Sequence, residues 1–281
     1  MGADCHIHML FDGIEWKRAM ARHKDMPDLS FVRKTLENYA RLGYTYLRDG
    51  GDRWGAGKAA RELAGEYGIH YTTPLAPICK LGHYGAFIGE TYETEKDYVN
   101  LVGEHRANGA DFIKVMVSGI MDFDRPGVLS EEPLSLPEMK MLTHIAKEEG
   151  FSVMAHCNGA RAMEWAAVAG VDSIEHGAYG DGDAFSAMVE NKTVWVPTLS
   201  TVGNLRGKGR FNEDAVREIY ENFRENIALF RSLGGVIAPG TDAGAWAVPH
   251  GCCTEEEHLR SAGVTDQEME EGVKTVMQRF L

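Results

Sequence analysis

The stretch "DCHIHM", residues 4–9, places two histidines two positions apart inside an apolar run. Residues two apart on a β-strand point to the same face. If this run is a strand, the imidazoles of His6 and His8 can therefore reach one ion. The pair alone does not distinguish a metal site from two hydrogen-bonded structural histidines, so the surrounding pattern has to decide.

Seven further apolar runs follow, and most are rich in Val, Ile and Thr. They lack the alternation of a sheet with one solvated face. Continuous apolar runs are typical of parallel strands that are buried on both sides. The eight predicted strands span residues 3–9, 44–49, 70–76, 111–118, 152–157, 173–177, 193–199 and 235–240.

Amphipathic segments separate these runs. "DLSFVRKTLENYARLG", residues 28–43, predicts a helix that ends at Gly43, and residues 213–234 predict a long helix before the last strand. Eight strands that alternate with helices predict the α/β class and a closed (β/α)8 TIM barrel, as one domain over residues 1–281. An open doubly wound sheet is the alternative. Three further helix starts carry the spacing of a capping box: Ser135 with Glu138, Thr254 with Glu257, and Thr265 with Glu268.

Composition narrows the classes of partner. The formal net charge of −13 argues against nucleic acid or an anionic membrane as a partner, because both require a basic surface. Five cysteines without regular spacing indicate reduced thiols, and neither a signal peptide nor a membrane span is visible. We therefore expect a cytoplasmic protein that acts on a small-molecule substrate. No GxGxxG or P-loop motif supports a nucleotide site.

Polar residues lie in or at the ends of five predicted strands, where the chemistry of an α/β barrel is found. A lone strand-end histidine is more often hydrogen-bonded than a metal ligand, and an aspartate in "TDAG" can simply cap a helix. Six such residues in this order are hard to explain separately, so together they predict a metal site. They are His6, His8, Lys114, His156, His176 and Asp242.

Lys114 is unusual because it occupies the apolar middle of "DFIKVMVSG", residues 111–119. A buried lysine tends to lose its proton. Either it pairs with a carboxylate such as that of Asp111, or its neutral amine captures carbon dioxide. The carbamate that then forms is a carboxylate on a long arm, and it can bridge two metal ions.

This set of six residues resembles the metal-dependent amidohydrolase superfamily. "TYLRDGG", "DFIKVMVSG", "AGVDSIEHG" and "VPTLS" resemble its imidazolonepropionase-like and Xaa-Pro dipeptidase-like branch. The resemblance implies two divalent metal ions, with zinc as the expected metal. It implies that His6, His8 and Asp242 bind the more buried ion, that His156 and His176 bind the second, and that carboxylated Lys114, formed with CO2, bridges both.

The resemblance also implies the reaction. A metal-activated hydroxide would cleave a C–N bond of amide type in a small molecule, such as an N-acyl amino acid, a dipeptide or a cyclic amide. Asp242 would act as general base and then as general acid. The alternatives are a lactonase or phosphotriesterase that uses the same site, a mononuclear deaminase or decarboxylase, and a non-catalytic barrel that binds a ligand.

The chain departs from the family pattern in two respects. Relatives usually carry a small β-sandwich beside the barrel, for which these residues leave no room, so we expect exposed apolar surface and a homo-oligomer. Asn158 stands where relatives often have His or Tyr, a position that we expect to contact the substrate, so the resemblance does not identify the substrate. Other expected substrate contacts are His83, Tyr84 and Tyr179, while Arg125 and Arg206 are weaker candidates for binding a substrate carboxylate.

Overall fold

Parallel strands and helices alternate along the chain in the computed structural model, which describes residues 2–281. The short strands are almost completely buried, as expected for strands that are covered on both faces. They are β1 (Gly2–Ile7), β2 (Tyr44–Asp49), β3 (His70–Thr72), β4 (Ile78–Lys80), β5 (Glu90–Tyr92), β6 (Ile113–Met116), β7 (Val153–Cys157), β8 (Ser173–His176) and β9 (Val194–Val196).

Helices follow most of the strands and pack on their outer side. One short 3₁₀ helix, Gly65–Tyr67, continues the third of them. The α-helices are α1 (Trp16–Arg22), α2 (Leu29–Arg41), α3 (Ala56–Ala64), α4 (Glu95–Ala107), α5 (Leu136–Glu148), α6 (Ala160–Ala169), α7 (Gly182–Glu190), α8 (Ser200–Gly203), α9 (Glu213–Ser232), α10 (Thr254–Ser261) and α11 (Asp266–Phe280).

The strands form two parallel sheets, one in the order β1-β2-β3 and one in the order β5-β4-β6-β7-β8-β9. The third predicted strand, residues 70–76, is a strand in its first half alone. Its first half is β3, which pairs with β2, and the chain continues through "PLAP", residues 74–77, into β4, which pairs with β6. Proline has no N–H to donate to a ladder, so Pro74 and Pro77 interrupt the pairing at this point.

Residues 235–243 lie between β9 of one sheet and β1 of the other. They form isolated bridges rather than a strand: Ile237 pairs with Trp195 of β9, and the Cys5 N–H of β1 donates to the Pro239 carbonyl at 2.9 Å. The α/β class and the parallel strands are thus confirmed. The prediction of a strand over 235–240 is wrong, and the described strands do not form one closed sheet. The assignment of residues 1–281 to one domain remains a prediction.

Two of the helix starts differ from the predicted capping boxes. Ser135 does cap α5, but the Glu138 carboxylate contacts Lys80 and Tyr92 instead of returning to the Ser135 backbone. Helix α10 begins at Thr254, with Cys253 before it and no side-chain cap. The capping box at Thr265 is confirmed.

The last helix, α11, closes the interior on the side of the strand N-termini. The Phe280 ring lies 5.2 Å from the Phe112 ring, and the Arg48 guanidinium lies 4.4 Å from the centre of Phe280. Within residues 2–281, no helix combines the length and the apolar character that are needed to cross a membrane.

A buried glutamate holds the turn after β9. The Glu255 carboxylate, 1% exposed, accepts hydrogen bonds from the backbone N–H groups of Leu199 at 2.9 Å and Ser200 at 2.6 Å. These bonds fix the backbone directly after Thr198, a residue that contacts the site described below. The two buried N–H groups have no other acceptor, so losing the carboxylate is costly.

We predict that Glu255→Ala lowers the free energy of unfolding by about 2–4 kcal/mol, because two buried N–H groups lose their acceptor. Urea unfolding followed by circular dichroism measures the change. Glu257→Ala is the matched control, since Glu257 is exposed on the same helix, and we expect it to change the free energy by less than about 0.5 kcal/mol. Equal effects of the two variants would contradict this role.

Candidate metal centre

Three side chains converge where the two sheets meet. His6 Nε2 lies 3.4 Å from His8 Nε2 and 3.6 Å from Asp242 Oδ1, and His8 Nε2 lies 3.5 Å from the same oxygen. Ligand atoms placed 2.0–2.1 Å from a tetrahedral zinc ion lie about 3.4 Å from one another. The three side chains therefore fit a single metal ion without rearrangement, and they are the group of described residues that could hold one.

Backbone contacts hold these ligands in register. The Asp242 N–H donates to the His6 carbonyl at 2.7 Å. The buried Asp4 carboxylate accepts from the Thr241 hydroxyl at 2.6 Å, the Thr241 N–H at 2.9 Å and the His6 N–H at 3.2 Å. Asp4 thus ties β1 to the segment that carries Asp242, so the three ligands move together.

Burial sets the protonation of this group. It lowers the pKa of the His6 and His8 imidazoles well below the usual value, and the nearby Lys114 amine lowers it further. Burial raises the pKa of Asp242 to about 7. The imidazoles are consequently neutral at physiological pH, which is the form that binds a metal ion.

Lys114 lies beside the three ligands and has no ion-pair partner among residues 2–281. Its side chain is 1% exposed, and Nζ lies 3.3 Å from His6 Nε2. Burial lowers the pKa of its amine. Asp111, the alternative partner, instead pairs with Arg61 at 3.1 Å. A buried amine that no carboxylate neutralises is a fitting precursor for a carbamate, since only the neutral amine reacts with carbon dioxide.

The two remaining histidines face the same space. Their rings lie 4.6 Å apart, and the His176 ring lies 5.2 Å from that of His6. His176 Nδ1 lies 2.7 Å from the Thr198 hydroxyl, and His156 Nε2 lies 3.3 Å from the Gly119 carbonyl. These contacts leave His176 Nε2 and His156 Nδ1 as the nitrogens available to a second ion.

The strand ends that carry the site have unusual backbone conformations. His176, Thr198 and Asp242 have φ angles of 67°, 50° and 58°. Residues with side chains rarely adopt this left-handed region, and each instance costs of order 1–3 kcal/mol. Two of the three are candidate ligands and the third holds a ligand, so part of the backbone strain of the molecule lies at the site.

Sequence reasoning missed Glu175. Its Oε2 lies 2.7 Å from His6 Nδ1, and its Oε1 accepts from Arg48 at 2.9 Å and from the Ser173 hydroxyl. A carboxylate that binds Nδ1–H of an imidazole presents Nε2 to the metal as a lone pair. The available signal was a charged residue in the apolar run "SIEHG", the same signal that identified Lys114.

A cavity of about 250 Å³ opens above these residues, and a wider cleft of about 540 Å³ continues outward from it. The metal-facing end is polar, whereas the walls are mostly aromatic and aliphatic. The apolar lining residues are Phe11, Tyr84, Phe87, Ile88, Met116, Ile120, Met121, Phe123, Leu205, Phe211, Ala245 and Trp246.

Two of the four expected substrate contacts line this cavity. Tyr84 stacks near His156, with ring centres 4.8 Å apart, and Asn158 donates to the Gly119 carbonyl at 3.1 Å. The other two do not line it: His83 lies 3.4 Å from Glu131, and Tyr179 packs against the apolar core. The assignment of His83 and Tyr179 as substrate contacts stays a prediction.

The comparisons with known proteins give partial matches in sequence. A scan of protein-family models finds none that matches the chain. An uncharacterized protein of Mycobacterium tuberculosis is 32% identical over 137 residues, which are 46% of this chain and 37% of that protein. Ochratoxinase of Aspergillus niger is 30% identical over 148 residues, which are 51% of this chain and 28% of ochratoxinase. The chain thus spans well under half of these relatives' length.

The matches in structure are much more extensive. A Xaa-Pro dipeptidase crystallised with bound methionine superposes with a TM-score of 0.79 at 21% identity, over 98% of this chain and 74% of that one. The A. niger ochratoxinase gives 0.76 at 20% identity, over 96% and 68%. The fold is that of the amidohydrolase superfamily. The resemblance is thus confirmed for the fold, and phenylurea hydrolase B, with a TM-score of 0.74 at 15% identity over 99% of this chain and 74% of that one, has a similar fold.

We predict that Glu175→Gln weakens metal binding by about 10- to 100-fold. Arg48 requires an acceptor, so the Gln oxygen turns toward it and the Gln amide N–H₂ turns toward His6 Nδ1. The His6 proton then moves to Nε2 and blocks the ligand atom. Competition against a chelator measures the affinity, independently of any activity.

Glu190→Gln is the control, because Glu190 is exposed at the end of α7. Near-ultraviolet circular dichroism shows whether each variant is folded. A folded Glu175→Gln protein with the metal affinity of the wild type would rule out this positioning role.

Proposed function

We propose that this protein is a metal-dependent amidohydrolase that cleaves a C–N bond of amide type in a small molecule. The observation that carries the proposal is the convergence of His6, His8 and Asp242 at ligand-to-ligand distances beside the buried amine of Lys114. The names of the matched proteins support the reaction class, since the dipeptidase, the ochratoxinase and the phenylurea hydrolase are all hydrolases.

The cofactor in this proposal is a pair of divalent ions, with zinc as the expected metal. His6, His8 and Asp242 would hold the more buried ion, and His156 and His176 would hold the second. Lys114, carboxylated by CO2 at Nζ, would supply a carboxylate ligand to both. Bound ions would supply Lewis acidity, which polarises the substrate carbonyl and lowers the pKa of water.

The chain's own residues then orient the substrate and move the proton. The Asp242 side chain is 13% exposed toward the cavity and can reach a water molecule there. As a carboxylate it accepts the proton of the attacking water, and it later returns that proton to the nitrogen of the leaving amine. The aromatic walls exclude bulk water, which strengthens each electrostatic contact inside.

We also propose that the two sheets act as one (β/α)8 barrel, in which β4 continues the third strand and residues 235–240 take the eighth position. The protein is cytoplasmic, with free cysteines, and its partner is a small-molecule substrate rather than nucleic acid or a membrane. Exposed apolar side chains such as Trp16 and Met26 are consistent with a homo-oligomer.

Metal content is the first test. Protein purified without chelator and with added bicarbonate should carry about two equivalents of zinc or a similar ion per chain by elemental analysis. Lys114→Met keeps the volume of the side chain but cannot form a carbamate, so we expect about one equivalent or less. Lys140→Met, at an exposed position, should retain the wild-type content. A Lys114→Met protein with full metal content would contradict the bridging role.

Asp242 can be tested through turnover. On a small amide that the wild type hydrolyses, Asp242→Asn should lower kcat by about 10²- to 10⁴-fold, because the amide side chain cannot accept a proton. Asp214→Asn, which alters a surface ion pair, is the control. Full turnover by a metal-loaded Asp242→Asn protein would overturn the proposed role of Asp242.

Matched amide and ester substrates identify the reaction class. Faster hydrolysis of the ester, relative to its uncatalysed rate, would favour the lactonase alternative.

A further inference from the structure

Arg210 is a charged residue that lines the cavity, lies outside the candidate metal site and has no ion-pair partner among residues 2–281. The charged or imidazole side chains that also line the cavity, including Lys114 and Asp242, belong to the candidate metal site. Two of its neutral polar residues are satisfied, since Asn158 binds backbone groups and the Thr201 hydroxyl donates to the Thr198 carbonyl at 2.8 Å. Arg210 forms no ion pair among residues 2–281.

Stacking on aromatic rings holds this guanidinium in place. It lies 4.2 Å from the ring centre of Trp246 and 5.4 Å from that of Phe211. A guanidinium on an indole face gains a cation–π contact and keeps its N–H edge free for a carboxylate. Arg210 also lines both the inner cavity and the outer cleft. Its donors are therefore presented at the junction between the two.

The support for Arg210 is anchored to the metal centre. Trp246 lies four residues after Asp242, in a tight turn where the Ala245 N–H donates to the Asp242 carbonyl at 3.0 Å. The loop that carries Arg210 is joined to this turn, because the Asn204 amide donates to the Ala247 carbonyl at 3.1 Å. The Asn204 hydrogen bond and the stacking of Arg210 on Trp246 thus both link this loop to the turn that follows Asp242.

The two arginines expected from the sequence to bind a carboxylate are engaged elsewhere. Arg206 stacks on Tyr220 at 4.0 Å, and Arg125 pairs with Asp122 at 2.6 Å. Arg210 is exposed, stacks on Trp246 and forms no ion pair among residues 2–281, in a protein with a net charge of −13. A cation without an ion-pair partner at the cavity of an acidic protein favours the binding of an anionic group there.

The walls around Arg210 select an apolar group. Phe11, Phe87 and Ile120 line both the inner cavity and the outer cleft, and Trp16 extends this surface to the rim. Burying one large apolar or aromatic side chain on such a surface favours binding, because apolar area is removed from water. The cavity therefore offers one cationic contact and one extended apolar contact beside the metal ligands.

We propose that Arg210 determines specificity by binding the carboxylate of an N-acylated amino acid whose side chain is large and apolar, with that side chain packed on Phe11 and Phe87. This inference rests on the proposed amidohydrolase function and narrows its substrate class. Arg210 contacts the substrate away from the bond that is cleaved. It therefore acts mainly on KM, whereas Asp242 acts on kcat.

The test compares two substrates that differ in the carboxylate alone: N-acetylphenylalanine and N-acetylphenethylamine. The wild type should prefer the acid. Arg210→Gln should lower kcat/KM for the acid by about 10- to 100-fold through KM, since a charge-assisted hydrogen bond is lost. Arg210→Gln should change kcat/KM for N-acetylphenethylamine by less than about twofold. Arg206→Gln is the matched control, and both of its values should stay within about twofold of the wild type.

The apolar contact is tested with N-acetylglycine, for which the wild type should have a kcat/KM at least about 10-fold lower than for N-acetylphenylalanine. The inference is overturned if Arg210→Gln affects both substrates equally, or if the wild type prefers the uncharged analogue. If no amide is hydrolysed, the proposed function fails separately. Calorimetric binding of the same two compounds to zinc-loaded wild type and Arg210→Gln then decides the role of Arg210, and equal affinities would reject it.

Discussion

The ion pair between Arg48 and Glu175 is the contact on which the site depends. Arg48 lies on β2 of the three-stranded sheet and Glu175 on β8 of the six-stranded sheet, and the pair is fully buried at 2.9 Å. It therefore joins the two sheets across the interior. Burying two charges is costly, and removing one partner leaves a charge that nothing compensates. We infer that the pair is retained because Glu175 also orients His6, so that sheet packing and ligand geometry are set by the same contact.

The site stores strain that the surrounding packing maintains. Left-handed backbone at His176, Thr198 and Asp242 turns their side chains toward a common space at the ends of the strands. Neighbouring buried carboxylates stabilise these turns: Asp4 holds Thr241, the residue before Asp242, and Glu255 holds the backbone after Thr198. Stability and function are coupled here, since weakening either carboxylate releases a strained strand end.

Charge and hydrophobicity divide the cavity into two regions with different tasks. The inner end holds imidazoles, a lysine amine and one carboxylate, and burial keeps the imidazoles neutral. The outer walls are aromatic, with one cation stacked on Trp246. In the proposed function the inner region performs the reaction, and the outer region selects the molecule that reaches it. Loops that follow different strands build the outer region, which is where relatives of one fold diverge.

Local patterns in the sequence determined the class of fold and the composition of the candidate site. Apolar runs without alternation predicted buried parallel strands, and the spacing of His6 and His8 with a lysine inside a strand identified the residues that converge. Tertiary structure decided what depends on distant partners: the split of the third strand at "PLAP", the loss of a regular eighth strand, and the contacts of Glu175 and Arg210 with residues far along the chain. It also placed His83 beside Glu131 and Tyr179 against the apolar core, outside the lining of the cavity. The physical reason is that periodicity reports which face of an element is buried, whereas a side chain's partner depends on how separate elements pack.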